Sequence, residues 1–90
     1  MPPSVQHSPP DPVLASTLRR LRLEKRLTQE ELAHAVGLTT GSHARIERAR
    51  SNPTWTTVVR LAEGLGMPVS EMAREIELDR AADGPPAERP

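Results

Sequence analysis

The segment 28–48, TQEELAHAVGLTTGSHARIER, constrains the fold of this chain more strongly than any other. Thr28 and Glu31 have the spacing of a capping box, in which each side chain accepts a hydrogen bond from a backbone N–H left open at a helix start. Three apolar residues then recur at helical spacing, namely Leu32, Ala33 and Val36. Gly37 follows where a left-handed residue ends a helix without a Cβ clash. The segment therefore opens with a short helix that ends at Gly37.

A second short helix follows after a tight turn. Thr39 is placed to cap this helix, and Ile46 is placed to face inward. Its outer face carries Thr40, Gly41, Ser42, Arg45 and Arg48. Two short helices joined by a glycine-containing turn form a helix-turn-helix unit. Small polar and arginine side chains on the outer face, without an acid/base pair or a metal set, indicate reading of base edges in a DNA major groove.

The length and composition limit the other possibilities. Ninety residues form one small domain with a single core, and Trp55 is the only aromatic residue, so that core must be aliphatic. The chain has no cysteine, and its three histidines lack metal-ligand spacing. No apolar run approaches the roughly 20 residues of a membrane span, and the N-terminus lacks a signal pattern. We expect a cytoplasmic protein without a metal, cofactor or small-molecule ligand.

The formal net charge is zero, but the charges are unevenly distributed. Residues 19–50 hold eight Arg or Lys and four Glu, whereas residues 51–90 hold four Arg and seven acidic residues. A cationic side that faces DNA and an acidic far side fit this asymmetry. Ordinary solvated helix faces fit the charges equally well. The charge distribution alone leaves both interpretations open.

The apolar periodicity and the turn residues in the rest of the chain predict an all-α fold. We expect a compact five-helix bundle whose domain spans residues 13–78. The first helix is expected over 13–26, and the proline-rich segment 1–12 before it is expected to be disordered. Thr54 is expected to cap a fourth helix whose inward face carries Trp55, Val58, Leu61, Ala62 and Leu65. Pro68 is expected to open a fifth helix, and the segment 79–90 is expected to be a disordered tail.

The segment 18–72 resembles the phage repressor and Cro-like (XRE-type) helix-turn-helix family. The matching motifs are LR and LR within 18–22, LTQEELA at 27–33, GL at 37–38, IER at 46–48, NP at 52–53 and LA with LG within 61–66. The combination is specific, although each piece alone is weak. The resemblance implies a lambda-repressor-like DNA-binding domain of five helices that acts as a homodimer on palindromic operators.

The resemblance also implies roles for individual residues. The expected base contacts are Thr40, Gly41, Ser42 and Arg45. The expected phosphate contacts are Gln29, Thr39, Arg48 and Arg50. Arg22 and Glu47 match a pair that forms a structural salt bridge between the first and third helices. The possible dimer surface consists of Trp55, Met67, Val69 and Met72, although core packing is the preferred interpretation of Trp55 and the dimer contact is its alternative.

Three residues depart from the family pattern, and Gly41 offers no side chain at a base-reading position. Ala44 replaces a frequent serine. His43 stands where the family usually has Ile or Val facing the core. Ala49 replaces the glycine that usually follows the recognition helix, so that helix end must adjust or carry strain. We interpret His43 as a neutral, hydrogen-bonded interior residue, with a pH-sensitive helix as the alternative.

The sequence therefore predicts a sequence-specific DNA-binding transcriptional regulator that partners double-stranded DNA through a recognition helix at 40–48. A restriction–modification controller and an antitoxin are plausible subtypes for a chain of this size. The alternative is a protein-interaction module that keeps the fold and binds DNA weakly or not at all. An enzyme is disfavoured, because the chain lacks a phosphate-cradling glycine loop, a metal set and an evident acid/base pair.

Overall fold

The computed structural model describes residues 9–83, which form five α-helices. The helices are α1 (Pro12–Glu24), α2 (Gln29–Val36), α3 (Thr40–Glu47), α4 (Trp55–Gly64) and α5 (Val69–Asp83). This part of the chain contains no strand, so the predicted all-α fold is confirmed. None of the five helices is both long enough and apolar enough to cross a lipid bilayer.

Side-chain caps fix where the first four helices begin. Asp11, Thr28, Thr39 and Thr54 each accept a hydrogen bond from a backbone N–H in the first turn of the helix that follows. The predicted capping box is present: Glu31 N–H donates to Thr28 Oγ1 at 3.0 Å, and Thr28 N–H donates to Glu31 Oε1 at 2.8 Å. At the other end of α2, Gly37 has a φ of 76°, which ends the helix in the left-handed region.

The core is aliphatic and draws on all five helices. α1 packs against α3 and α5, α2 packs against α3 and α4, and α4 packs against α5. The buried cluster consists of Leu18, Leu21, Leu32, Val36, Ile46, Leu61, Ala62, Leu65 and Met72. Burial of each large side chain in this set stabilises the fold by roughly 1.5–3 kcal/mol. The core therefore holds α3 by its inner face and leaves the opposite face to solvent.

α1 begins at Pro12, one residue before the predicted start of the domain, and hydrogen bonds tie down the residues just before it. Asp11 caps α1, and its own N–H donates to Asn52 Oδ1 at 2.9 Å. Asn52 Nδ2 in turn donates to the carbonyl oxygen of Pro9 at 3.1 Å. The Asn52 amide thus holds residues 9–11, which the sequence assigned to a disordered segment. Residues 1–8 of that segment lie outside the described residues.

At the other end of the chain, α5 continues through Asp83, beyond the predicted end of the domain at 78. Asp79 Oδ2 accepts hydrogen bonds from Thr17 Oγ1 at 2.7 Å and from Arg20 Nη2 at 3.0 Å. Arg80 Nη2 pairs with Asp11 Oδ2 at 2.6 Å. These polar contacts with α1 extend the helix where its apolar pattern has faded. Residues 84–90 of the predicted tail lie outside the described residues.

Trp55 does not pack in the core, which corrects the predicted inward position. It is 68% exposed at the first position of α4. Val58, one turn later, is partly buried, and Leu61 is fully buried. The first turn of α4 therefore projects beyond the helices that cover the rest of its apolar stripe.

Gly64 allows α4 to approach α2 closely. A Cβ built at this position would lie 2.8 Å from Val36 Cγ1 and 2.9 Å from Leu32 Cδ1. Both of those side chains are buried, and the β-branched Val36 has little rotamer freedom in a helix. The glycine is therefore required by packing, at the cost of its weak helix propensity.

We expect Gly64→Ala to destabilise the domain by about 1 kcal/mol, because overpacking of roughly 1–3 kcal/mol exceeds the gain of about 1 kcal/mol in helix propensity. Urea unfolding followed by circular dichroism measures the change. Gly41→Ala is the matched control: a Cβ there meets no atom within 4 Å, so we expect a gain of about 0.5–1 kcal/mol. Stabilisation by both substitutions would contradict the close packing at Gly64.

Candidate nucleic-acid interface

α3 presents two chemically different faces. Its inner face consists of four buried residues, namely His43, Ala44, Ile46 and Glu47. Its outer face consists of four exposed residues, namely Thr40, Gly41, Ser42 and Arg45. All four residues that the sequence assigned to base contacts therefore lie together on the solvent side of one short helix. An eight-residue helix is about 12 Å long, which suits a major groove.

Two hydroxyl groups organise the first turn of α3. Thr39 Oγ1 accepts a hydrogen bond from Ser42 N–H at 3.0 Å and donates to Ser42 Oγ at 2.9 Å. Thr39, an expected phosphate contact, therefore serves first as the N-cap of α3. Thr40 and Gly41 lie between these two residues and are exposed.

Three arginines follow along α3 and the loop after it. Arg45, Arg48 and Arg50 are all exposed. Among residues 9–83, none of their guanidinium groups forms an ion pair, whereas Arg20, Arg22 and Arg80 each pair with a carboxylate. The positive charge beside the outer face of α3 is therefore not neutralised by the described part of the chain.

The backbone at the end of α3 takes the conformation that glycine would adopt easily. Ala49 has a φ of 58°, in the left-handed region. Arg50 N–H donates to the carbonyl oxygen of Arg45 at 2.8 Å across this turn. The alanine Cβ costs roughly 1–2 kcal/mol in that region. The helix end therefore keeps its turn and carries local strain, as the departure at this position predicted.

A buried carboxylate anchors α3 to the two helices that precede it. Arg22 of α1 donates to both oxygens of Glu47, from Nε to Oε2 at 2.7 Å and from Nη2 to Oε1 at 2.9 Å. Gln29 of α2 donates from Nε2 to Oε1 at 3.1 Å. The side chains of Arg22 and Glu47 are only 8% and 1% exposed. We call Arg22, Gln29, His43 and Glu47 the Glu47 network.

His43 completes the Glu47 network. Its Nε2 lies 2.5 Å from Glu47 Oε2, and because the carboxylate can only accept, Nε2 carries the proton. The ring is fully buried, and its Nδ1 has no hydrogen-bond partner among the described residues. The sequence placed His43 in the interior but did not identify its partner, although the i, i+4 spacing from Glu47 was a usable signal.

Glu47 stays ionised because hydrogen bonds outweigh its burial. Burial raises the pKa of this carboxyl, but hydrogen bonds from His43, Arg22 and Gln29 lower it from 4.5 to about 2. The carboxylate is thus a permanent acceptor at neutral pH. It fixes the last turn of α3, which lies next to Arg45 and Arg48.

Gln29, which is expected to contact a phosphate, points its side-chain amide toward Glu47. Its side chain is half-buried, and Nε2 donates inward to Glu47. A primary amide carries a second N–H on the same nitrogen. The inward bond therefore leaves one donor for a phosphate at the start of α2.

Some of the residues expected at a dimer surface are buried within the protomer. Met72 is fully buried in the core, so its assignment to that surface is corrected. Met67 and Val69 are partly buried against the core, and Trp55 is mostly exposed. Met72 falls on the inner stripe of α5, which the helical period places opposite the solvent side.

Comparison with known proteins agrees with this geometry. A family model described as a helix-turn-helix domain matches residues 13–74. The chain is 32% identical over 65 residues to the cryptic phage CTXphi transcriptional repressor RstR of Vibrio cholerae, covering 72% of this chain and 59% of RstR. It is 42% identical over 55 residues to the uncharacterized HTH-type transcriptional regulator y4dJ of Sinorhizobium fredii, covering 61% of this chain and 71% of y4dJ. The chain thus spans about three-fifths of the length of RstR.

Solved structures share the fold. The clp gene regulator ClgR from Corynebacterium glutamicum superposes with a TM-score of 0.75 at 26% identity, covering 80% of this chain and 77% of ClgR. The restriction-modification controller protein C.AhdI from Aeromonas hydrophila superposes with a TM-score of 0.65 at 31% identity, covering 68% of this chain and 92% of C.AhdI.

We expect Glu47→Gln to destabilise the domain by roughly 3–5 kcal/mol at pH 7, because it leaves the Arg22 guanidinium buried without a counter-charge. The depressed pKa of Glu47 stabilises the fold above pH 4.5, and this contribution is lost as the pH falls toward about 2. Stability in urea should therefore fall less steeply over that window in the variant. Glu77→Gln, at an exposed position of α5, is the control. Equal effects of the two substitutions would exclude Glu47 as the anchor.

Proposed function

This chain belongs to the helix-turn-helix family of phage-repressor and Cro-like regulators, and from that premise we propose that it is a sequence-specific DNA-binding transcriptional regulator. Its recognition helix is α3, which enters the major groove with the outer face toward the bases. The main support is the pair of faces on α3. Three arginines that form no ion pair among the described residues lie on or beside its outer face, and the buried carboxylate of Glu47 anchors its inner face.

Arg45 is the residue proposed to read a base. It lies in the last turn of α3 and is exposed, as are Thr40 and Ser42 in the first turn. A guanidinium group can donate two parallel hydrogen bonds to O6 and N7 of guanine. The Glu47 network fixes the backbone of the turn that carries Arg45, so this turn needs no reordering when the guanidinium group binds.

The surrounding residues are proposed to hold the DNA backbone. Arg48 and Arg50 flank the end of α3, while Gln29 and Thr39 lie at the starts of α2 and α3. Helix N-termini favour phosphates through their open N–H groups and their dipoles. Such contacts set the register of the protein on the duplex and do not discriminate between bases.

We propose that the regulator acts as a homodimer. A helix of about 12 Å spans only three to four base pairs at roughly 3.4 Å each, which is too short a site for selective regulation. Two copies would place their recognition helices in successive major grooves, about 34 Å apart. The proposed dimer surface centres on Trp55, with Met67 and Val69 beside it.

Phage repression and control of a restriction–modification system are the regulatory roles that best fit the relatives and neighbours, with an antitoxin role as a third of similar size. Each of these roles uses the same DNA-reading surface. We propose that this surface works on DNA in the cytoplasm.

A protein-interaction module with little DNA affinity is the second candidate. It is favoured by Gly41, which supplies no side chain at an expected base-reading position, and by the formal net charge of zero. Salt dependence separates the two functions. DNA binding through phosphates predicts that log affinity falls with log salt by about 0.9 per phosphate contact. Absent or sequence-independent DNA binding would favour the interaction module.

We expect Arg45→Ala to weaken binding to the preferred duplex by about 1–3 kcal/mol and to relax discrimination at one base pair. The duplex is first selected from a random pool, and affinities are measured by fluorescence anisotropy. Arg48→Ala should weaken all sequences alike and reduce the salt slope by about 1. Arg74→Ala, on the exposed side of α5, should change neither quantity. Equal losses on every sequence for Arg45→Ala would refute its role as a base reader.

We expect Trp55→Ala to weaken self-association at least tenfold, because burial of a large aromatic side chain dominates interface energetics. Sedimentation equilibrium measures the dimer dissociation constant, and the emission of the single tryptophan should shift to the blue as the chain dimerises. Leu23→Ala removes another exposed apolar side chain, 53% exposed on α1, and should leave association unchanged. A chain that stays monomeric on a palindromic duplex would contradict the proposed homodimer.

A further inference from the structure

Nothing in the described part of the chain requires a glycine at position 41. Of the four glycines in residues 9–83, Gly37 and Gly66 have positive φ values, and Gly64 has no room for a Cβ. Gly41 is helical and exposed, and a Cβ built on it would meet no atom within 4 Å. Because glycine weakens a helix relative to alanine, the open space at Gly41 points to a contact outside the chain.

Gly41 itself offers no side-chain group that could form a hydrogen bond with a base edge. The hydroxyl groups of Thr39 and Ser42 are bonded to each other, and the Ser42 N–H is taken by Thr39. The open N–H groups of a helix start run along the helix axis, which directs them to a phosphate and not sideways into the groove. At Gly41 itself the surface of α3 therefore presents only Cα hydrogens, with Thr40 and Ser42 on either side in the sequence, and we call this spot the Gly41 notch.

The 5-methyl group of thymine is the one apolar group that projects from a base pair into the major groove, where cytosine has only a C5–H. The hydrogen-bond donors and acceptors of the groove would lose water there without gaining a partner from Gly41, which has no side chain. The neighbouring Thr40 adds a side-chain methyl of the kind that contacts thymine methyl groups. The chemistry of the notch thus matches the methyl and penalises the alternatives.

We infer that the Gly41 notch receives the 5-methyl group of a thymine, so that the preferred half-site carries a thymine at the N-terminal end of α3. This inference rests on the proposed function. Arg45 lies four residues further along the helix, about 6 Å away. The thymine and the guanine read by Arg45 therefore lie about two base pairs apart, since successive pairs are spaced by roughly 3.4 Å.

The test uses the full chain and the duplex selected from a random pool. Each thymine is replaced by deoxyuridine, one at a time, which removes a single methyl group and leaves every hydrogen bond intact. One thymine in each half-site should respond, with binding weakened about 3- to 10-fold, as expected for one buried methyl. The other thymines should change affinity less than about twofold and serve as internal controls.

Gly41→Ala supplies the decisive comparison, because its new methyl group fills the Gly41 notch. The variant should bind the thymine duplex about tenfold more weakly than the wild-type chain. Deoxyuridine at the responding position should restore part of that loss. The same base change would thus weaken the wild-type chain and strengthen the variant. Thermal unfolding checks that the variant is folded, and its stability should be equal to or greater than that of the wild-type chain.

The outcomes separate this inference from the proposed function. Sequence-specific binding in which no deoxyuridine has an effect would overturn the notch and leave the regulator intact. Undiminished binding of the thymine duplex by Gly41→Ala would overturn the notch as well. Absent or sequence-independent DNA binding by the wild-type chain would overturn both.

Discussion

The orientation of α3 in this domain depends on the ion pair and hydrogen bonds made by the ionised carboxylate of Glu47. It lies almost fully buried in α3 and accepts hydrogen bonds from Arg22 of α1, from Gln29 of α2 and from His43 one turn earlier in its own helix. A buried charge is costly unless it is paired and fully hydrogen-bonded, so this geometry tolerates little rotation of α3. The orientation of the reading face thus follows from an ion pair behind it. The burial of Ala44 and Ile46 on the same face is less directional, because apolar contacts have no hydrogen-bond geometry to satisfy.

The outer face of α3 is built on the opposite principle, since its groups are left without partners in the described chain. Arg45, Arg48 and Arg50 are exposed and form no ion pair among residues 9–83. Charges held this way keep their full hydration and their field until a polyanion replaces the water. The inner face of α3 is held in place, and the cations beside its outer face are unpaired within the described chain. This combination suits the binding of an external polyanion, which in the proposed function is DNA.

Local signals in the sequence predicted the centre of the fold well. The capping box of Thr28 and Glu31, the left-handed Gly37 and the helix-capping Thr54 depend on neighbours within a few residues, so the sequence contains all the information needed to place them. At both ends of the chain the structure depends instead on contacts between distant residues. α5 reaches Asp83 and residues 9–11 are fixed because Asp79, Arg80 and Asn52 make polar contacts with residues more than 40 positions away. Apolar periodicity does not report such contacts.

By itself the sequence determined the five helices, the aliphatic composition of the core and the outward side of α3, because helix caps and a 3.6-residue period are local properties. The tertiary structure alone decided three matters. Trp55 is exposed because the first turn of α4 projects past its neighbours. His43 donates a hydrogen bond to Glu47. Packing leaves no room for a Cβ at Gly64, whereas a Cβ at Gly41 would meet no neighbouring atom. Each of these depends on which atoms of distant segments occupy the surrounding space, and that information exists only once the helices are assembled.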